Sequence, residues 1–286
     1  MHYPVMLAES LEHLAVRPEG VYVDATAGLG GHTREIARRL ITGMVIANDR
    51  DAESLELARR NTAEFSLRIR FHHGAFSQLA RALAAAGVEK ADGLLADLGV
   101  SRYQLTEPAR GFSLQADGPL DMRMDASRGA TAQDLVNHTA EKALADLIFQ
   151  LGEERRARKI ARAIVRARPI RSTLHLAGVV EKAVPRTGRL HPATRTFMAL
   201  RMAVNDEPGE LDALLETGPG LLKSGGRMVV ISFMSLEDRK VKEKFRTLAR
   251  EGRAVLLTRR PLEPGEEEVR ENPPSRSAKL RAVEMV

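Results

Sequence analysis

The sequence contains no cysteine and no tryptophan, and only three of its 286 residues are tyrosine. Without cysteine, the chain can form no disulfide, no thiolate metal site and no cysteine nucleophile. No uninterrupted apolar stretch approaches the roughly 20 residues that a membrane helix needs, and the first residues lack the basic and apolar regions of a secretory signal. These absences indicate a soluble protein, which we expect in the cytoplasm.

The composition that remains is ordinary for a globular protein, with 43% hydrophobic and 29% charged residues. A chain of this length can form one large or two modest domains. The formal net charge of +6 permits a polyanionic partner but does not require one.

A glycine-rich stretch, Asp24-Ala25-Thr26-Ala27-Gly28-Leu29-Gly30-Gly31-His32-Thr33, lies between the apolar run 21–23 and a helical pattern at 35–40. This order predicts a strand, a tight turn and a helix N-terminus, where a backbone can approach a nucleotide-type cofactor. Similar turns can also serve packing alone. The next apolar run, 44–47, leads to Asp49, and an acidic side chain at the tip of a second strand suits a ribose.

Over the first hundred residues, apolar runs alternate with helical patterns, which predicts a parallel sheet with crossover helices. The predicted strands are 21–24, 44–48, 67–71 and 93–97, and the predicted helices include 51–60 and 77–86. Asp97 ends the fourth strand, and ligands of open α/β sheets lie beyond the carboxyl ends of the strands. We therefore expect Asp97 in the same crevice as Gly30. The alternative is that Asp97 only caps the next segment.

After Gln104 the regular alternation stops for about 100 residues. Thr131-Ala132-Gln133-Asp134 has the form of a capping box and predicts the start of a helix. The segment 153–168 places apolar residues at helical spacing on one side, and Pro169 ends it. Its other faces carry a run of cations, which are Arg155, Arg158, Lys159, Arg162 and Arg166. Such a face is often merely solvated, but we interpret this one as a phosphate-binding face.

The alternation of helical patterns and apolar runs resumes near residue 206. A helical pattern extends to Leu222, and a predicted turn at 223–226 leads to a predicted fifth strand at 228–231. Ser235-Leu236-Glu237-Asp238 then predicts a further capped helix.

Two final apolar runs, 254–257 and 280–286, are separated by a loop rich in Pro, Glu and Gly. Strands without an intervening helix pair most simply as antiparallel neighbours. The predicted fold class is therefore α/β and Rossmann-like, with a mostly parallel seven-stranded sheet and an antiparallel last strand. A mostly parallel sheet that ends in an antiparallel pair of strands favours an S-adenosylmethionine (SAM) methyltransferase over a nicotinamide dehydrogenase.

Several strings, in order along nearly the whole chain, resemble the MraW/RsmH family of 16S rRNA cytosine-N4 methyltransferases. They are His2-Tyr3-Pro4-Val5-Met6, the stretch 24–33, Asn48-Asp49-Arg50-Asp51, Asp97-Leu98-Gly99-Val100-Ser101 with Gln104, Arg110-Gly111-Phe112-Ser113, 119–125, Gly152-Glu153-Glu154-Arg155, 192–197, Ser232-Phe233 with 235–239, and 275–281. Several matching strings in the same order indicate a family more specifically than any single glycine pattern does.

The resemblance implies a class I SAM-dependent methyltransferase core at 1–107 and 203–286, interrupted by a helical, basic RNA-binding domain at 108–202. It implies methylation of the exocyclic N4 amine of a cytidine in the decoding centre of 16S rRNA, with the small ribosomal subunit as partner. It leaves the oligomeric state open, a dimer included. The SAM-binding residues that it implies are Gly30, Gly31, His32, Asp49, Phe76, Asp97 and Gln104.

The chain departs from the family pattern at a few positions. Met234 replaces a usual His, Met198 replaces a usual Gln, Arg102-Tyr103 replaces Ser-Pro, and Pro274 replaces an Arg. Methionine can neither take a proton nor donate a hydrogen bond as histidine can. An alternative to the enzyme is therefore a non-catalytic or retargeted ribosome-assembly factor that keeps the SAM fold.

Methyl transfer to an amine requires alignment more than catalytic groups. Cytosine N4 shares its lone pair with the ring, so an acceptor that takes its N–H would orient the nitrogen and remove a proton. Asp97 is the candidate for this role, and it is also a candidate SAM contact. Methylation at C5 normally requires a cysteine, which is missing, and no cluster has metal-ligand spacing.

The target cytidine must be single-stranded or flipped, because pairing occupies N4. The aromatic candidates for stacking on it are Tyr103, Phe112, Phe197 and Phe233. The other substrate candidates are the cations Arg110, Arg155, Arg158, Lys159, Arg162 and Arg195.

Overall fold

The structure is a computed structural model that describes residues 4–186, 188 and 190–286, so His2 and Tyr3 of the first matched string lie outside the described residues. The chain divides into two compact units. The sheet unit comprises the residues up to Gly99 together with Pro208–Val286, and the helical unit comprises Val100–Glu207. The sequence placed the helical domain at 108–202, whereas the helical unit of the structure is Val100–Glu207. Among the described residues, no helix has both the length and the apolar character needed to cross a bilayer.

Seven strands form one sheet: β1 Val21–Asp24, β2 Met44–Asp49, β3 Ile69–His73, β4 Ala91–Asp97, β5 Leu222–Ser232, β6 Ala254–Leu256 and β7 Lys279–Met285. Their spatial order is β3-β2-β1-β4-β5-β7-β6. The first five strands pair in parallel, and β7 runs antiparallel to both β5 and β6. The predicted Rossmann-like sheet with an antiparallel last strand is confirmed.

Three local predictions need correction. The third strand begins at Ile69 rather than residue 67, because 63–68 form a 3-10 helix. The predicted turn at 223–226 lies within β5, where Gly225 has φ 74° and the pairing with β4 changes register. The final loop contains a short helix, Glu266–Glu271, whose acidic sequence gives no apolar periodicity.

Helices cover the sheet on both faces. The helices of the sheet unit are α1 Leu7–Leu14, α2 Gly31–Arg39, α3 Ala52–Asn61, α4 Leu79–Ala85, α11 Glu207–Thr217 (which begins at the last residue of the helical unit), α12 Ser235–Arg250 and α13 Glu266–Glu271. The buried apolar side chains of the sheet unit form two clusters. Leu94 and Val230 belong to one cluster, whereas their chain neighbours Leu95 and Val229 belong to the other. Since successive side chains of a strand point to opposite faces, both faces of the sheet are buried, and the strands are apolar throughout.

The helical unit contains α5 Arg102–Thr106, α6 Ala132–His138, α7 Glu141–Gly152, α8 Ala157–Arg166, α9 Thr173–Ala183 and α10 Thr194–Val204. The capping box predicted at Thr131 is confirmed, because Thr131 Oγ1 accepts the N–H of Asp134 at 3.1 Å and Asp134 accepts the N–H of Thr131 at 2.9 Å. Helix α8 is shorter than the predicted 153–168. Its apolar face is buried in the core of this unit, through Ala157, Ile160, Ala161 and Ile164.

Candidate cofactor and catalytic site

The turn after β1 requires glycine at two positions. Gly28 has φ 51° and Gly30 has φ 88°, both in the left-handed region. A Cβ on Gly30 would lie 2.8 Å from Cγ2 of Thr62, so a side chain there would clash. Helix α2 begins at Gly31, its N-cap residue Gly30 has no side chain, and its first turn has no acidic residue, although Asp24 accepts the backbone N–H of Thr33. Its N-terminal N–H groups can therefore bind an anionic group of a ligand.

Asp49, at the tip of β2, is hydrogen-bonded to this turn. Its Oδ2 accepts the N–H of Gly28 at 2.8 Å, and its Oδ1 accepts the N–H of Asp51 at 2.9 Å. Burial raises the pKa of Asp49 to about 6, although these hydrogen bonds oppose the shift. The side chain remains partly exposed. Each carboxylate oxygen can accept more than one hydrogen bond, so Asp49 can still bind the hydroxyls of a ribose.

Asn48, which belongs to a matched string but received no predicted role, holds the neighbouring strand ends together. Its side-chain amide donates to the carbonyl oxygens of Ala25 and Gly74, at 3.2 and 3.0 Å, and its Oδ1 lies 2.9 Å from Nδ1 of His72. Residue Asn48 is completely buried. Gly74 leads directly into the 3-10 helix that begins at Phe76, a predicted cofactor contact. The sequence signal that could have identified Asn48 is its place at the end of an apolar run, directly before Asp49.

Asp97 ends β4 and is held by backbone hydrogen bonds on two sides. Its N–H donates to Oγ1 of Thr26 at 2.7 Å, and the N–H of Leu98 donates to the carbonyl of Ile231 on β5 at 2.9 Å. The side chain is mostly buried, with 23% exposed, and among the described residues its Oδ1 has no hydrogen-bond partner. A buried carboxylate oxygen without a partner is costly in a folded protein unless a ligand completes it.

Several carboxylates surround Asp97. Burial raises its pKa well above the usual range, and the charges of Asp24, Glu237 and Glu268 raise it further. Glu237 is buried at the start of α12, where its Oε2 accepts the N–H groups of Phe233 and Met234, each at 3.0 Å. Ser235 is therefore not the cap that the sequence predicted, because the helix has Met234 at its N-cap position and Glu237 accepts the N–H groups there.

Asp24 ends β1 and is completely buried. Its Oδ2 accepts the hydroxyl of Thr33 at 2.6 Å, and its Oδ1 accepts the N–H of Thr26 at 3.2 Å. Burial raises the pKa of Asp24 to about 6. Asp24 thus links β1 to helix α2 across the glycine-rich turn, while its charge acts on Asp97.

These groups fit SAM. Asp49 suits the ribose hydroxyls, and the N-terminus of α2 suits a carboxylate. The unpaired Oδ1 of Asp97, in an acidic environment, suits positive charge and N–H donors. Gly30, Gly31, His32, Asp49 and Asp97 lie together at the carboxyl ends of β1, β2 and β4, as the sequence predicted for this crevice.

The family model described as the MraW methylase family matches residues 1–286. The chain belongs to this family. A ribosomal RNA small subunit methyltransferase H from Solibacter usitatus is 74% identical over 285 residues, which cover 100% of both chains. The protein of the same name from Acidobacterium capsulatum is 53% identical over 293 residues, covering 99% of this chain and 98% of that one. A putative rRNA-methylase structure from Clostridium thermocellum aligns over 100% of both chains with 11% identity and a TM-score of 0.49.

The resemblance recognised in the sequence is therefore confirmed, and the chain is a methyltransferase. The prediction of SAM as cofactor is confirmed at the level of the family. The roles of individual residues stay predictions, and so does the choice of the cytosine amine.

Gln104 lies in the helical unit and has a local structural role. Its Oε1 accepts the N–H of Ser101 at 3.0 Å, and its own N–H donates to Oγ of Ser101 at 3.2 Å. Gln104 is buried, with 3% exposed. This capping box starts α5. A contact between Gln104 and SAM stays a prediction.

Three predicted substrate residues belong to the interior of the helical unit. Arg110 is buried, and its guanidinium donates to the carbonyls of Arg123 and Met124 at 3.0 and 3.1 Å. Phe112 and Phe197 are buried in the core of this unit. Their burial favours structural roles over the predicted contacts with RNA. By contrast, Phe233 of the sheet unit is only half-buried, and a Cβ on Gly99 would lie 3.8 Å from its ring.

The predicted basic face exists on α8. Arg155 lies in the turn before α8, and Arg158, Lys159 and Arg162 lie on the helix. All four side chains are exposed, and Arg162 lies 3.4 Å from Glu141. Arg155 and Arg195 also line one cleft of about 360 Å³ together with Arg156 and His191. The guanidinium of Arg195 is oriented by the carbonyl of Glu153 at 3.0 Å. The helical unit therefore brings Arg155 and Arg195 together at one site.

The four departures from the family pattern occupy different environments. Met234 is half-buried at the N-cap of α12, and Met198 is half-buried on α10. Arg102 and Pro274 are exposed, and Tyr103 is half-buried. In the part of the chain that the structure describes, no group of three or more His, Asp or Glu side chains could hold a metal ion.

Proposed function

We propose that this protein transfers a methyl group from SAM to the exocyclic N4 amine of a cytidine in small-subunit ribosomal RNA, within the decoding centre. The family is a methylase family, and relatives with up to 74% identity over the whole chain carry the name ribosomal RNA small subunit methyltransferase H. The absence of cysteine argues against methylation at cytosine C5, because that reaction proceeds through a cysteine adduct.

The observation that carries the proposal is the unpaired, buried Oδ1 of Asp97 at the end of β4. SAM supplies a methyl group that its sulfonium makes electrophilic. The carboxylate of Asp97 accepts an N–H of the cytosine amine and so aligns the nitrogen with that methyl group. As the new N–C bond forms, the amine loses one proton, which Asp97 takes, and the bond between the methyl carbon and sulfur breaks with its electron pair on sulfur.

The electrostatic environment of Asp97 suits a general base. Its raised pKa makes its ionised form more basic than an ordinary carboxylate, which favours proton removal from a weakly acidic N–H group. Asp97 must be ionised to act, and positive charge bound beside it favours ionisation. Burial and the acidic neighbours, of which Asp24 has the largest effect and Glu268 the smallest, therefore suit Asp97 to a cationic cofactor.

We propose the helical unit as the RNA-binding part of the protein. The exposed cations of α8 offer sequence-independent contacts to phosphates, which dominate the affinity of most proteins for RNA. The cleft that Arg155 shares with Arg195 would hold a backbone phosphate next to that face. The half-buried ring of Phe233 is the remaining stacking candidate from the sheet unit.

The decisive test is methyl transfer from labelled SAM to small ribosomal subunits, followed by nucleoside analysis. The proposal expects label in N4-methylcytidine. Label in 5-methylcytidine would contradict the proposed chemistry. No transfer, combined with retained binding of SAM and of subunits, would support the assembly factor instead, and the methionines at 198 and 234 would be the first residues to revert to Gln and His.

A further inference from the structure

The connection between β6 and β7 reaches back to the start of the chain through helix α13. Oε1 of Glu268 accepts the backbone N–H of Met6 at 2.7 Å. Met6 is completely buried and has φ 50°, a left-handed conformation that is unfavourable for a residue with a side chain. Such a conformation persists only where the surroundings hold it. Glu268 supplies a hydrogen bond that does so.

The segment Pro4-Val5-Met6 lies against the start of α2. The carbonyl oxygen of Val5 lies 3.1 Å from Nε2 of His32. A Cβ on Gly31 would lie 3.2 Å from Cβ of Pro4, so the segment and the glycine-rich turn are in close contact. Because a carbonyl can only accept a hydrogen bond, Nε2 of His32 must carry the proton.

This hydrogen bond fixes how His32 faces Asp97. The ring is buried, and its Nδ1 lies 3.9 Å from Oδ2 of Asp97. With the proton on Nε2, a neutral His32 presents the Nδ1 lone pair toward Asp97. A protonated His32 would instead present an N–H donor there. The group that His32 presents to the carboxylate of Asp97 thus depends on a chain of contacts that runs from Glu268 through Met6 and Val5.

We propose that Glu268 is a positioning residue for methyl transfer. Its carboxylate anchors Met6, the anchored segment holds the His32 ring, and the ring determines which group faces Asp97 across 3.9 Å. Glu268 acts through these residues. This inference rests on the proposed function only where its test measures methyl transfer, because the orientation of the His32 ring can be measured without turnover.

Two conservative variants separate the hydrogen bond from the charge. Glu268→Gln keeps an acceptor at the same reach and removes the charge, whereas Glu268→Asp keeps the charge and withdraws the acceptor by one carbon–carbon bond. We expect Glu268→Asp to lower kcat by about ten- to a hundred-fold, as misplacement at an active site does, with the Kd for SAM changed much less. We expect Glu268→Gln to retain most of the wild-type kcat on the plateau of its pH profile.

The nitrogen-15 chemical shifts of the His32 ring provide a second readout that requires no turnover. The wild-type protein and Glu268→Gln should show the neutral form with the proton on Nε2, and Glu268→Asp should show a mixture of tautomers. Glu267→Gln is the matched control on the same helix, because Glu267 is highly exposed and its partner is Arg270, at 3.7 Å. Its kcat and its His32 shifts should equal those of the wild type.

Wild-type His32 shifts in Glu268→Asp would overturn the positioning role, whatever the substrate proves to be. A loss of kcat in Glu268→Gln with wild-type kcat in Glu268→Asp would also overturn it, because the charge rather than the hydrogen bond would then be the cause. If both variants showed the expected ring shifts but the wild type did not methylate cytidine N4, the positioning role would stand and the proposed function would fail.

Discussion

The N–H of Gly28 donates a hydrogen bond to Oδ2 of Asp49 at 2.8 Å. This bond joins the glycine-rich turn after β1 to the tip of β2, so the two halves of the predicted cofactor site are parts of one hydrogen-bonded unit. A carboxylate that must orient a ribose needs such support, because its own rotamers would otherwise be free. The same bond also contributes to lowering the pKa of Asp49, against the larger effect of burial.

Replacing Asp49 with alanine should weaken SAM binding without unfolding the protein. The variant loses the carboxylate that would accept a hydrogen bond from a ribose hydroxyl, worth about 1.5–3 kcal/mol for a charged acceptor. We expect Kd for SAM to rise by about ten- to a hundred-fold, measured by calorimetry, with a melting temperature close to that of the wild type. Glu53→Ala, which removes an exposed carboxylate on α3, should bind SAM normally. Unchanged affinity in Asp49→Ala would refute the ribose assignment.

Replacing Asp97 with asparagine tests the proposed base. The backbone bond from residue 97 to Thr26 does not involve the side chain, so the end of β4 should keep its position. Loss of a positioned general base typically lowers the rate by about 100- to 10,000-fold. We expect such a fall in kcat from single-turnover methyl transfer, with a much smaller change in the Kd for SAM. Equal losses in turnover and in SAM affinity would instead assign Asp97 to cofactor binding alone.

The features of the site that follow local sequence rules could be predicted. Gly30 and Asp49 stand at fixed places in a strand-turn-helix pattern, and the apolar runs located β1, β2 and β4 within two residues of their ends. Asp97 could be placed for the same reason, because the carboxyl ends of parallel strands meet at one edge of a sheet.

The surroundings of Asp97 could not be predicted. The charges of Glu237 and Glu268 act on Asp97 from distant parts of the chain, and no local sequence pattern indicates that they lie near it. Helix α13, which carries Glu268, is only six residues long and has no apolar face. The roles of Phe112 and Phe197 could not be decided from the sequence for a different reason. An aromatic residue in a matched string can pack in the hydrophobic core or stack on a nucleic-acid base, and the sequence alone does not distinguish the two. The structure places both rings in the core of the helical unit.

The stability of the cofactor-free protein should fall as pH rises through 6. The folded-state pKa of Asp24 is about 6, above its ordinary 3.8, so the folded protein binds this proton more tightly than the unfolded chain does. A raised carboxyl pKa contributes stability that is fully present below the unfolded-state pKa and is lost as pH rises through the folded-state pKa. Between pH 5.5 and 7.5, Asp24 should therefore account for a loss of about 0.8 kcal/mol in the free energy of unfolding.

Asp24→Asn isolates this contribution, because the Thr33 hydroxyl that donates to Asp24 can rotate to accept from an amide. Urea unfolding at both pH values should give a smaller fall in the variant than in the wild type, and some fall should remain because Asp49, whose pKa is also raised to about 6, continues to titrate there. The same pH dependence in both proteins would show that Asp24 is not held above its ordinary pKa.

The basic face of α8 should contribute to RNA affinity through charge. Replacing Arg158, Lys159 and Arg162 together with glutamine should weaken binding of a single-stranded RNA, measured across a salt series. Each lost phosphate contact reduces the slope of log affinity against log salt by about 0.7, so the three together should reduce it by up to about 2. The reduction should be smaller if Glu141 already neutralises Arg162 in the free protein, as their 3.4 Å separation indicates.

A control triple with the same change in net charge separates local contact from general attraction. Arg60, Lys90 and Arg246 are exposed on the sheet unit, and their replacement with glutamine lowers the net charge equally. If α8 contacts phosphates, the α8 triple should lose far more affinity and salt dependence than the control triple. Equal losses in the two would mean that overall charge governs the binding, and a loss of SAM affinity in the α8 triple without a loss of RNA affinity would mean that the face is structural.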